Sequence, residues 1–179
     1  VAGAVCQPVT PEFYIGKTRG QLGNWDETMT NAIIQGQLPA SSDEGRIYTE
    51  GDWSNQPEYL RHAVDKDELT NFVALKYRAV ELNEVMKPEN IDWMQVFVKQ
   101  DAQWIPKNLA GDDLKFDDEA RGYAQVDAAR IYNLIAKQPS YGTYELRLYV
   151  KAKGFSLYSF SFGTCEIVAS GDRLGTLKE

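Results

Sequence analysis

The chain is predicted to be an all-β sandwich, and three observations carry that prediction. Two adjacent stretches within residues 141–162 alternate apolar and polar side chains with period two. Short β-rich runs recur along the rest of the chain, with turn residues between them about every ten positions. Helical periodicity is confined to one brief segment, 26–35.

In chain order, the first element is that segment. DETMTNAIIQ can form one or two turns with Asp26 as N-cap before Gly36 and Pro39 stop it. Residues 24–44 otherwise read as a long surface connection rich in Gly, Ser, Asn and Gln. Residues 45–50 and 58–64 form an early strand pair. Over 71–85, Val73, Leu75, Tyr77 and Ala79 face one way, and Val80 and Leu82 then switch parity, which predicts a bulge near Ala79-Val80. In 91–99, Met94, Val96 and Val98 alternate against Trp93, Gln95 and Phe97. Asp101-Ala102-Gln103 turns the chain into a short strand near Trp104-Ile105, and 122–127 and 129–136 read as two more strands. The last element is a β-hairpin over 141–162. Tyr144, Leu146, Leu148 and Val150 line one face, Lys153-Gly154 makes the turn, and Ser156, Tyr158, Phe160 and Phe162 line one face of the return strand. Strands this regular need a second layer to cover their apolar faces.

Composition narrows the function. The 179 residues predict one domain, 1–179, with its core in about 10–165, and 43% apolar content is globular. Nineteen basic against 26 acidic side chains give a net charge of −7, which excludes general affinity for nucleic acid or anionic membranes. No apolar run approaches the roughly 20 residues that span a bilayer. The chain begins at Val1 rather than Met, as a processed precursor or an excised fragment would. Cys6 and Cys165 lie near opposite ends. A disulfide between them would clamp the termini if the terminal strands are neighbours; the alternative is two thiols in a reducing compartment.

Catalytic chemistry has little to work with, so a non-enzymatic role is expected. The single histidine, His62, falls in a strand, and no nucleophile elbow, CxxC, GxGxxG or phosphate-binding loop is present. Asp112, Asp113, Asp117 and Asp118, with Glu119, crowd one loop. They offer oxygens to Ca²⁺ without EF-hand spacing, or simply form a solvated acidic loop; no other cofactor is implied. A glycosidase-like pair of carboxylates cannot be picked out without geometry. Trp25, Trp53 and Trp104 sit beside Gly, Asn, Asp or Pro, where a ring can stack on a sugar or pack at the core's rim; Trp53, leading into a strand, is read as structural.

Four separated segments together resemble a known family. Thr10-Pro11-Glu12-Phe13-Tyr14-Ile15-Gly16 with Arg19 looks like a TPE-x-Y-x-G…R opening. Gly51-Asp52-Trp53 with Glu58-Tyr59-Leu60, Arg130-Ile131-Tyr132-Asn133-Leu134-Ile135, and the closing stretch 155–163 follow in matching order. The pattern is similar to the C-terminal domain of DipZ-type proteins, in which a membrane-embedded part and a thioredoxin-like domain precede it. Residues 24–44 and 81–89 have no counterpart in that pattern. The resemblance implies a jelly roll of the galactose-binding or carbohydrate-binding-module type, periplasmic or extracellular, beside a thioredoxin-like domain. The family's redox activity does not carry over, because its CxxC domain is absent from this sequence. Glu12 and Arg19 are expected to pair or to line a polar site. Arg130 and Tyr132 are expected to face a ligand, unless Arg130 pairs internally with Glu12 or another carboxylate. Binding of carbohydrate or another polar cell-envelope ligand, with Trp25 and Trp104 contributing, is the leading expectation. A protein-interaction module that positions a redox domain is the alternative, and a two-carboxylate hydrolase ranks third.

Overall fold

The computed structural model describes residues 3–20, 22–25, 33–163 and 165–168. In chain order the strands are β1 (Gly3–Cys6), β2 (Phe13–Tyr14), β3 (Ile33–Gly36), β4 (Ile47–Asn55), β5 (Leu60–His62), β6 (Asn71–Arg78), β7 (Glu81–Pro88) and β8 (Met94–Gln100). They continue with β9 (Gln103–Trp104), β10 (Leu114–Phe116), β11 (Gly122–Val126), β12 (Arg130–Ile135), β13 (Thr143–Val150), β14 (Phe155–Gly163) and β15 (Cys165–Val168). All strand pairs are antiparallel and no helix occurs among the described residues, so the fold is all-β as the sequence predicts.

The strand order identifies a jelly roll. One layer runs β10-β11-β8-β13-β6-β4 and the other β5-β14-β7-β12, with β2 on β14, β3 on β4 and β9 on β8. Taking the eight strands β5, β6, β7, β8, β11, β12, β13 and β14 in sequence, the first, third, sixth and eighth share one sheet. The other four share the second, which is the two-Greek-key arrangement. β4 joins the layers: Ile47–Glu50 register with β6, whereas Trp53–Asn55 register with β5. The bend falls at Gly51, whose φ of +88° and whose packing against Asn71 leave no room for a side chain.

Alternation decides what fills the space between the layers. Val73, Leu75 and Tyr77 of β6, Val96 and Val98 of β8, and Leu146, Leu148 and Val150 of β13 meet Leu82, Met86, Tyr132, Leu134, Phe155, Leu157 and Phe160 from the opposite sheet in one buried cluster. Tyr77, Gln100 and Gln138 add a closed polar triad within it. Tyr77 donates to Gln100 Oε1, and Gln138 Nε2 donates to the Tyr77 hydroxyl, each over 2.5 Å. Gln100 Nε2 donates to Gln138 Oε1 over 2.9 Å.

Two expectations are corrected. The 141–162 segment is not a hairpin: β13 pairs with β6 and β8, and β14 pairs with β2, β5 and β7, so the chain arches from one layer to the other at 151–154. Likewise 71–85 is not one bulged strand. β6 ends at Arg78, β7 begins at Glu81 in the other sheet, and the parity switch at Ala79-Val80 marks that crossover. The early pair forms, but through the second half of β4, which extends through Gly51 to Asn55. Of the expected helix, residues 26–32 lie outside the described residues, and Ile33–Gly36 is strand.

Candidate functional site

Jelly-roll connectivity gathers the turns 63–70, 89–93, 127–129 and 151–154 at one end of the sandwich. The arch at 151–154 is fixed by backbone bonds, Gly154 N–H donating to His62 O over 3.0 Å and Glu89 N–H to Gly154 O over 2.9 Å. Lys153 N–H donates to Asp65 Oδ1 over 2.8 Å. Three of these turns, 63–70, 89–93 and 151–154, with the β5 residue Arg61, border a cleft of about 410 Å³ lined by Arg61, Asp65, Glu89, Asn90, Ile91 and Lys153, with Gly154 at its wall. That volume falls in the range of small-molecule sites, about 300–1,000 Å³.

The cleft is charge-balanced and preorganised. Arg61 Nη1 donates to Glu89 Oε2 over 3.3 Å, while the Tyr59 hydroxyl donates to Glu89 Oε1 over 3.2 Å. Tyr59 is stacked on Tyr158 at 4.9 Å, and burial, then the neighbouring Glu89, pushes its phenol up, so it remains a donor. Arg61 Nε is buried without an acceptor among the described residues. Asn90 takes a left-handed φ of +58°, and beyond it Ile91 (43% exposed) and Trp93 (52% exposed) stand out from the surface. Asp65 and Glu89 both line the cleft, and each accepts hydrogen bonds there, Asp65 from the Lys153 backbone and Glu89 from Tyr59 and Arg61. The arrangement presents both hydrogen-bond donors and acceptors to the cleft.

His62 lies beneath this end, fully buried against Trp53. In the Nδ1–H tautomer, Nδ1 donates to Ala152 O over 2.8 Å and Nε2 accepts from Asn71 Nδ2 over 2.9 Å. Burial, opposed by the bond to Ala152, holds its pKa below the ordinary value. It is a structural histidine.

The residues singled out from sequence fall elsewhere. Arg130 and Tyr132 do meet, the guanidinium carbon 3.7 Å from the ring centroid, but Tyr132 has no exposed surface and its hydroxyl donates to Ala128 O. Arg130 instead binds Asp113 over 2.9 Å, the internal pairing held open as the alternative. Trp25 is half-buried and donates to Thr49 Oγ1 over 2.7 Å; Trp53 is in the core and donates to Glu50 O. Glu12 is exposed, and Arg19 lies over the Tyr14 ring at 5.4 Å; no ion pair joins them among the described residues.

The acidic loop is dispersed. Asp113 also accepts from Asn133 N–H, Asp117 binds Arg121 over 2.7 Å, and Asp112 and Asp118 point to solvent. Leu114–Phe116 within it is strand β10, unforeseen because three residues are too short to show a period. Among the described residues no three His, Cys, Asp or Glu side chains are grouped to hold a metal ion.

A second cluster covers the outer face of the β4–β11 layer. Phe72, Tyr149, Phe97 and Tyr123 stand in one transverse row over four strands, set by the register Phe72↔Tyr149↔Phe97↔Tyr123. Cations cover three of the four rings and the neighbouring Trp104. Arg147 lies 4.8 Å over Phe72, Arg121 lies 5.2 Å over Phe97, and Lys99 lies 4.4 Å over Trp104 and 5.3 Å over Tyr149. Trp104 therefore packs in a cation-capped layer rather than offering a free ring.

Sequence reasoning missed the end cleft because its lining comes from three distant segments with no local motif. Trp93 was read as a strand residue; the turn composition of Pro88-Glu89-Asn90 just ahead of it is the signal that sets it in a loop. Comparison with known proteins gives one family: the family described as "Thioredoxin like C-terminal domain" matches residues 10–163. No curated protein matches the chain.

Proposed function

Since the chain belongs to the thioredoxin-like C-terminal domain family, we propose that it is a non-catalytic module that binds carbohydrate in the end cleft and accompanies a thioredoxin-like redox domain outside the cytoplasm. The observation that carries the ligand is the cleft itself. It offers guanidinium, ammonium, amide and carboxylate groups, with Arg61, Glu89 and Asp65 held by hydrogen bonds and the exposed Ile91 at its lip. Such a mixture of donors and acceptors reads hydroxyls on both sides of their hydrogen-bonding capacity, and its balance of two cations against two carboxylates disfavours strongly charged ligands.

The redox chemistry of the family's partner domain has no residues here, since neither Cys6 nor Cys165 belongs to a CxxC. The extracytoplasmic setting is supported by the register of β1 with β15, which sets Cys6 directly opposite Cys165. Opposed residues of an antiparallel pair have Cα separations of about 4.5–5.5 Å, within the span a disulfide bridges.

A glycan array followed by titration calorimetry tests the reading. Binding of at least one glycan is expected, weakened about tenfold or more by Arg61→Ala, which removes the fork of the cleft. No binding across neutral and charged glycans would reject it. A protein-positioning role is favoured by a different surface. Ile131 (61% exposed), Val85 and Tyr14 (54% exposed) share a row on the outer face of the β5–β12 layer. Loss of redox-partner turnover in the Ile131→Glu variant, with no glycan bound, would select that role.

A further inference from the structure

A second cleft, of about 310 Å³, opens where β4 passes from one layer to the other. Gln35, Gln37, Glu50, Asp52, Lys66 and Asn71 line it, and among the described residues no aromatic side chain does. Its polar groups are built in. Asn71 is only 3% exposed, and its amide donates to His62 Nε2 over 2.9 Å. Lys66 Nζ binds Asp52 Oδ2 over 2.9 Å, and Glu50 Oε2 accepts from Leu38 N–H. Gln35 and Gln37 are exposed at its mouth.

The two clefts adjoin. Asp65 lines the end cleft and Lys66, the next residue, lines the second, so a single peptide unit, with Cα atoms about 3.8 Å apart, divides them. A hydrogen-bonded chain runs from the Asn71 amide in the second cleft through His62 to Ala152 in the arch that walls the end cleft. Lys66 N–H also donates to Lys151 O over 2.8 Å, fixing the dividing loop to the same arch.

From this juxtaposition we infer that the two clefts are adjacent subsites for one extended, neutral oligosaccharide lying across the Asp65–Lys66 loop. The inference rests on the carbohydrate reading above and names the ligand class. The amides of Gln35, Gln37 and Asn71 each donate and accept, as sugar hydroxyls require. The charges select against polyanions: Arg61 and Lys153 balance Asp65 and Glu89 in one cleft, Lys66 faces Glu50 and Asp52 in the other, and the chain carries −7. Occupying both clefts turns the second contact into an intramolecular one, so affinity rises with glycan length until both are filled.

Calorimetry with mono- to hexasaccharide ladders of β-1,4-glucose, α-1,4-glucose and chitin tests this. Wild type is expected to bind one ladder with affinity that climbs on lengthening and then levels. The Gln35→Ala/Gln37→Ala variant, which removes two exposed side chains and keeps the wild-type melting temperature, should lose on the order of tenfold toward the longest members and nothing toward the shortest. Arg61→Ala should weaken both. Affinity independent of length, or an unchanged long-glycan affinity in the double variant, would overturn the two-subsite inference while leaving carbohydrate binding standing. Absence of binding by wild type to all three ladders would overturn the inference, and absence across a full array would overturn the carbohydrate reading as well.

Discussion

Glu84 sits on the inward face of β7 between Leu82 and Met86, opposite Tyr132 on one side and Phe160 on the other. It is 1% exposed, and neither carboxyl oxygen has a hydrogen-bond partner among the described residues. Burial pushes its pKa well above the ordinary 4.5, so the fold holds it as a neutral acid. The unfolded chain ionises it above that value. Between 4.5 and the raised folded pKa the native state therefore binds more protons, and stability falls as pH rises, by about 1.4 kcal/mol per pH unit. Glu84→Gln keeps the shape and removes the ionisation. Urea denaturation should find the variant more stable by about 1–3 kcal/mol at pH 7 and nearly equal to wild type at pH 4. An equal difference at both pH values would assign the effect to packing.

At the scale of elements, alternation told which side chains face inward but not which strands are neighbours. The inward sets of β6, β8 and β13 were all readable as period-two runs, and each lies in the core. Period two, however, is the same whether the next strand folds back in its own sheet or crosses to the facing one. Hence 141–162 looked like a hairpin, and 71–85 like one strand with a bulge. The arch between β13 and β14 depends on Gly154, whose φ is +96° and whose Cβ would come within 2.3 Å of Glu89 O. Gly154→Ala is expected to cost at least about 2 kcal/mol in chemical denaturation. Gly142→Ala, at a position with nothing within 4 Å, should stay within about 0.5 kcal/mol of wild type. Equal costs at the two glycines would mean that the arch does not require the left-handed conformation. The same arch explains why the site was illegible: Arg61, Glu89 and Lys153 converge only once three crossovers are in place, and none carries a motif alone.

For the whole molecule, β4 belongs to both layers and its bend is locked by Gly51 against Asn71, so neither sheet can be withdrawn without breaking the other's register. The chain ends form a separate ladder, β1 with β15, attached to this body through residues 7–12 at one end and the end of β14 at the other. A Cys6–Cys165 bond would close a loop around nearly the entire fold, and in the chain-entropy account a loop that long stabilises by about 4–5 kcal/mol. Because the ladder stands outside the main sheets, only the part of that constraint transmitted through the flanking segments reaches the core. Thiol titration of the unreduced protein in guanidinium should detect no free thiol, and reduction should lower the melting temperature. Two titratable thiols would instead assign the chain to a reducing compartment and remove the support for an extracytoplasmic setting. With the bond present and the melting temperature unmoved by reduction, the clamp would act on the terminal ladder alone. The jelly roll, with its two clefts, would then fold on the strength of its two layers.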